Sequence, residues 1–359
     1  MKSALFTTTH LIITLIQGWL IWGDDFYDLN IHLQSFQPII GDDEILWLNL
    51  SYKIDLTQSI KNILWPYLLS LWGGLGGTSL FTIAMMKGLI YCLFASYFLS
   101  QARSVLTKVE YYIAFTFLLF HPYIIFLHVS LMRDDLIFSV GIIIFLWFAK
   151  FEKQRLSFKL FRNTTSVLAI VSLILLIGLR PMFAWIAVLT FLILFARQQK
   201  MLFIVCIIPF LLYVNNYVSF SLNFSISSII FNLYKLIFSP NIFSVISGQL
   251  DVVGSGVRNI PVYVTLTSIF NLSVLSLVII CLLINYRFVM KHLLISSSVV
   301  LYCIIILLSL SLVEANVQGP RQSLLATSGL FIFFVNRFLI TLSKPRNTKS
   351  AIYEGKRVT

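Results

Sequence analysis

The sequence predicts an all-α fold, a polytopic transmembrane helix bundle of about ten spans with interfacial helices in the outer loops. Three observations predict it. Of 359 residues 58% are hydrophobic and only 11% are charged, where a soluble domain carries about 25%. The apolar residues come in runs of about 16 to 24, the length that spans hydrocarbon. Basic residues concentrate in alternate connections between those runs, the pattern that orients membrane segments.

The runs place spans at 4–22, 80–100, 110–129, 134–149, 164–179, 181–196, 201–216, 262–285, 292–313 and 322–341. One kind of connection is basic, as at Arg103 and Lys108, or Lys150 to Arg162. The other is acidic or sparse: the long loops 23–79 and 217–261, the turns at Met132-Arg133 and Arg180-Pro181, and the loop 314–321. The two alternate without a break, and the basic side holds 18 of the 26 Lys and Arg residues. The positive-inside rule then puts both termini in the cytoplasm. Eleven of 14 acidic residues fall on the opposite, outer side. The chain divides into an integral membrane domain over 1–342 and a basic cytoplasmic tail over 343–359, too polar to bury a core. The first run ends in Trp19-Leu20-Ile21-Trp22-Gly23, with no small-x-small cleavage site, and reads as a retained helix.

Two stretches stand out. Residues 164–196 hold two crossings of only about 25 Å each, so the turn at Leu179-Arg180-Pro181 is expected below the outer surface, enclosed by protein or a water-filled cavity. Pro181 suits the first position of the next helix. In the first outer loop, Ile63-Leu64-Trp65-Pro66-Tyr67-Leu68-Leu69 is apolar and aromatic and fits a helix lying in the interface.

The net charge of +12 is spread between apolar runs, where it meets anionic headgroups; membrane lipid is the expected contact, not nucleic acid. The four cysteines lie within apolar runs without CxxC spacing, and no metal-ligand signature or cofactor motif is present. Candidate chemistry lies in the ionisable residues of the outer face, costly near membrane depth. Asp42, Asp43, Glu44, Asp134 and Asp135 supply carboxylates that can serve as general bases. Arg133, Arg180, Arg258 and Arg321 supply guanidiniums that bind phosphate bidentately. Each has a structural alternative: Asp134 and Asp135 complement a helix N-terminus, Arg133 and Arg321 snorkel to headgroups, and Asp42-Asp43-Glu44 form a solvated loop. Lys87, alone inside a span, is expected to pair with a polar group in the bundle. His121-Pro122 marks a kink, and His10 and His292 read as interfacial.

The stretch Gly41-Asp42-Asp43-Glu44-Ile45-Leu46-Trp47 resembles the acidic first-loop motif of multi-spanning GT-C-type glycosyltransferases. The segment from Trp65-Pro66-Tyr67 to Gly76-Gly77-Thr78 is similar to the loop helix before their second span. Leu131-Met132-Arg133-Asp134-Asp135 resembles their LRD turn, and Leu179-Arg180-Pro181 and Gly319-Pro320-Arg321-Gln322 resemble two later arginine turns. The resemblance covers about residues 1–340. It implies glycosyl transfer at the periplasmic face of a bacterial inner membrane, without a cofactor. Two members fit: an O-antigen or capsule polymerase joining undecaprenyl-pyrophosphate-linked repeat units, and a transferase using a polyprenyl-phosphate-linked sugar. Asp43, then Asp42, is the implied base, followed by Asp134 and Asp135; Glu44 and the four arginines would bind substrate. The Asp-Asp-Glu triplet departs from the single acidic residue that often stands there. The implied partners are the polyprenyl-(pyro)phosphate-linked sugar and other polysaccharide-assembly membrane proteins. A transporter or flippase for lipid-linked sugars, or an assembly subunit without an active site, are the competing classes.

Overall fold

The computed structural model describes residues 2–28, 51, 64–75, 79–153, 163–196, 298–312 and 320–336, with scattered positions between 227 and 283. Every regular element among them is helical. Besides a single helical turn, Asp25–Asp28, the helices are α1 (Lys2–Trp22), α2 (Leu64–Gly74), α3 (Leu80–Ala102), α4 (Lys108–Phe120), α5 (Pro122–His128), α6 (Asp134–Lys153), α7 (Thr164–Leu179), α8 (Pro181–Ala196), α9 (Ser298–Leu312) and α10 (Pro320–Leu330). A π-helical turn, Phe331–Val335, continues α10.

Among the described residues three helices are long and apolar enough to cross a membrane: Ser3–Trp22, Leu80–Ala102, and Lys108–His128, the last made of α4 and α5. Thr164–Leu179, Pro181–Leu194, Ser298–Ser311 and Ser323–Val335 are apolar but shorter. Helix α6 spans 20 residues and carries acidic residues in its first turn. The runs 201–216 and 262–285 lie wholly or largely outside the described residues.

Local chemistry sets the ends. Ser79 caps α3 through Thr82 N, and Thr107 and Glu110 close a capping box on α4, which satisfies two amides that the helix itself leaves without acceptors. His121 breaks α4 from α5 because Pro122 has no N–H to continue the ladder. A single extended residue, Arg180, joins α7 to α8, with Pro181 in the first helical position. The two helices of that hairpin have 16 residues each, about 24 Å.

Small residues let the helices approach. A Cβ on Gly141 would lie 2.4 Å from Leu325, one on Gly329 2.5 Å from Cys303 Sγ, and one on Gly88 2.9 Å from Leu11. Where apolar helices are surrounded by lipid, close backbone contact and interhelical polar bonds, more than apolar burial, hold them together. Helix α6 sits in the centre, buried from Leu136 to Phe148, with α3, α7 and α10 against it. Near its far end Lys150 donates to Gln101 Oε1 at 2.7 Å and to Thr165 Oγ1 at 2.9 Å, tying α3 and α7 to α6.

The aromatic helix expected between residues 63 and 74 is present as α2. Trp65, Pro66 and Leu69 are buried, and Leu64 lies so close to α7 that a Cβ on Gly178 would come within 2.9 Å of it. Helix α2 therefore covers the end of the bundle where α7 turns into α8. His10 departs from its expected place at an interface: it is fully buried in α1, held by polar groups that sequence distance had hidden.

Candidate functional site

Residues 129–133, between α5 and α6, form an irregular connection, and all but Arg133 are buried. Backbone carbonyls in such a place need donors, since neither helix nor water supplies them. Four in succession receive side chains from three separate helices. Trp22 Nε1 of α1 donates to Val129 O at 3.1 Å, and Trp65 Nε1 of α2 donates to Leu131 O at 2.8 Å. Lys87 Nζ of α3 donates to Ser130 O at 2.8 Å and Met132 O at 2.6 Å, and also to Leu127 O at the end of α5.

The connection delivers two adjacent aspartates to the first turn of α6. Asp134 Oδ1 meets Arg180 Nη1 at 3.4 Å, with the Arg180 side chain 20% exposed and that of Asp134 7% exposed. Arg180 also lies over the ring of Phe183, 5.5 Å from its centre. Arg133 immediately precedes the pair and is half-buried. The LRD-like turn and the first arginine turn, 46 residues apart, thus converge under α2.

Asp135 faces the other way. Its Oδ2 is 3.2 Å from Lys87 Nζ and 2.7 Å from His128 Nδ1, all three side chains fully buried. His128 Nε2 lies 3.1 Å from His10 Nε2, and His10 Nδ1 lies 3.0 Å from Leu119 O. Tyr91 packs against both imidazoles, with ring centres 4.6 Å from His10 and 5.2 Å from His128, and its hydroxyl donates to Leu118 O at 2.5 Å. Lys87 also sits 5.5 Å from the centre of the Trp65 ring, a cation–π contact strengthened by the absence of water.

The remaining sequence candidates divide in two. Asp42, Asp43, Glu44 and Arg258, like His292, lie outside the described residues. Arg321 is in the first turn of α10, with its side chain outside the description. Lys87 has the interior polar partner expected of it. His128 was not anticipated; the signal available was a histidine ending an apolar run six positions before an acidic pair. Among the described residues no cluster of His, Cys, Asp and Glu is arranged to hold a metal ion.

No protein family, no curated protein and no solved structure matches the chain.

Proposed function

We propose that this chain is a membrane glycosyltransferase working on polyprenyl-(pyro)phosphate-linked sugars at the periplasmic face of a bacterial inner membrane, as a polymerase of O-antigen or capsule repeat units. The observation that carries the reading is the meeting of Arg180 and Asp134 beside Arg133. A guanidinium and a carboxylate at a partly exposed helix start are the two groups this reaction asks for. The donor sugar is anchored through its pyrophosphate in the outer leaflet. The acceptor hydroxyl attacks the anomeric carbon, and the bond from that carbon to the pyrophosphate oxygen breaks. The leaving group takes the electron pair as polyprenyl pyrophosphate, and a carboxylate takes the hydroxyl proton. Arg180 and Arg133 would neutralise charge developing on the leaving phosphate, an effect worth most where water is excluded. Asp134 competes with Asp42 and Asp43 for the base.

Arg180→Lys tests the arginine role, because lysine keeps the charge and loses the planar fork. The expected outcome is normal membrane abundance with single repeat units left on the lipid carrier and no long chains. A full-length polysaccharide ladder from Arg180→Lys would remove Arg180 from the site. Ladders persisting in Asp42→Ala, Asp43→Asn, Asp134→Asn and Asp135→Ala would overturn the carboxylate mechanism. Topology is tested by cysteine labelling: Asp55 and Asn316 should react from the periplasm, and Gln154 and Thr348 should not.

A second reading, a transporter for lipid-linked sugars, draws on the buried charges of Lys87 and Asp135, since transporters place such groups at membrane depth. Accumulation of carrier-linked units on the cytoplasmic leaflet, instead of the periplasmic one, would favour it.

A further inference from the structure

We propose that the corner between α3 and α4 binds the phosphate headgroup of an anionic membrane phospholipid. A cavity of about 360 Å³ opens there, lined by Arg103, Leu106, Thr107, Lys108, Tyr111 and Tyr112; sites for small ligands run from about 300 to 1,000 Å³. Leu106 and Tyr111 are buried and make its floor, while Arg103, Thr107, Lys108 and Tyr112 are exposed and make its rim. The backbone that carries them is well bonded. Ser104 N donates to Gln101 O, and Val105 N and Leu106 N both donate to Ala102 O, at 2.7 to 3.1 Å. Gln101 in turn accepts from Lys150, so the cavity lies at the end of α6 far from Asp134.

Two cations stand at the opening without a counter-ion. Among the described residues neither Arg103 nor Lys108 has a carboxylate within ion-pair distance. The Arg103 guanidinium lies over the Tyr111 ring, 5.0 Å from its centre. A stacked guanidinium keeps its N–H edges for other acceptors, and its planar fork matches two oxygens of one phosphate. Lys108 adds a second positive charge and Thr107 a hydroxyl. The Thr107 oxygen accepts from Glu110 N at 3.4 Å, which leaves its hydrogen for a further acceptor. Glu110, the nearest acid in sequence, is buried, accepts from Thr107 N at 2.7 Å and does not line the cavity. The capping box uses the amides of Thr107 and Glu110, so the side chains and not the helix end carry the site. The lipid part of the ligand follows from α4. Val109, Tyr112, Thr116 and Phe120 are exposed and recur at helical spacing, so a largely apolar strip runs from the rim along the helix. A soluble anion would meet the cations and leave that strip bare; a phospholipid uses both. The proposal does not depend on glycosyl transfer.

The test uses the full chain in non-ionic detergent, titrated with phosphatidylglycerol or with phosphatidylcholine, and bound lipid is counted by native mass spectrometry. One phosphatidylglycerol should bind more tightly than any phosphatidylcholine, whose own cation opposes Arg103 and Lys108. Arg103→Gln with Lys108→Gln should weaken that site by at least about tenfold, the scale of lost charge-assisted hydrogen bonds. Both positions are exposed, so the pair of changes leaves the fold intact. Arg197→Gln with Lys200→Gln removes the same charge from another basic connection and should leave the site unchanged. Arg103→Lys keeps the charge and should still weaken binding, because the fork is lost. Equal affinity for the two lipids, equal loss in the two double variants, or wild-type affinity in Arg103→Lys would each overturn the proposal. Displacement of the lipid by inorganic phosphate as readily as by phosphatidylglycerol would overturn it too, since the ligand would then be a soluble anion.

Discussion

Asp134 and Asp135 are neighbours in sequence, each facing a cation at a similar distance, 3.4 Å from Arg180 and 3.2 Å from Lys87. Their surroundings make them different groups. In the Asp134–Arg180 pair the guanidinium is 20% exposed while the carboxylate is 7% exposed, so water reaches one partner and screens the pair. The Asp135–Lys87 pair is sealed, and separating it leaves a charge with nothing to face. A helix step of about 100° decides which aspartate receives which environment. Identical chemistry one residue apart thus meets a cation at the edge of the bundle in one place and a sealed one in the other.

Lys87→Met should have the largest effect, since it strips Asp135 of its counter-charge and Ser130 O and Met132 O of a donor. We expect a loss of about 3–5 kcal/mol, read as a lowered midpoint of reversible unfolding in detergent. If stability is unchanged, the buried half of the comparison fails. Trp65→Phe removes the donor to Leu131 O together with part of a fully buried ring, since phenyl is smaller than indole; a loss of at least about 1–3 kcal/mol is expected from the buried carbonyl left without a donor and the cavity beside it. A loss below that range would mean that water reaches the connection. Asp134→Asn should be the mildest, about 1 kcal/mol or less by the same measurement. A cost as large as that of Lys87→Met would show Asp134 to be as structural as its neighbour. That variant's polysaccharide ladder then asks separately whether the Asp134–Arg180 pair does chemistry.

Much of the framework was legible in the sequence. The spans read at 4–22, 80–100, 164–179 and 181–196 lie within about two residues of helices seen in the structure, because apolar runs bounded by Ser79, Asn163 and Pro181 carry their ends with them. The break at His121-Pro122 and the loop helix over 64–74 were legible for the same local reasons. The buried cluster was not. His10 and His128 stand 118 residues apart, and no periodicity within an apolar run marks the position that will face another helix. Nor could the sequence tell Asp134 from Asp135, since both suit a helix N-terminus; only the placement of α3 and of the α7–α8 turn separates them.

The ammonium of Lys87 is ringed by the carbonyl oxygens of Leu127, Ser130 and Met132 and by the carboxylate of Asp135. An all-oxygen shell of this kind is what hard metal cations take from proteins. Here the positive charge is tethered to the chain, so the shell is filled whatever salts surround the membrane. The connection that sets Arg133 and Asp134 in place therefore draws its organising charge from α3 itself, and its shape should not vary between sodium, potassium and salt-poor media.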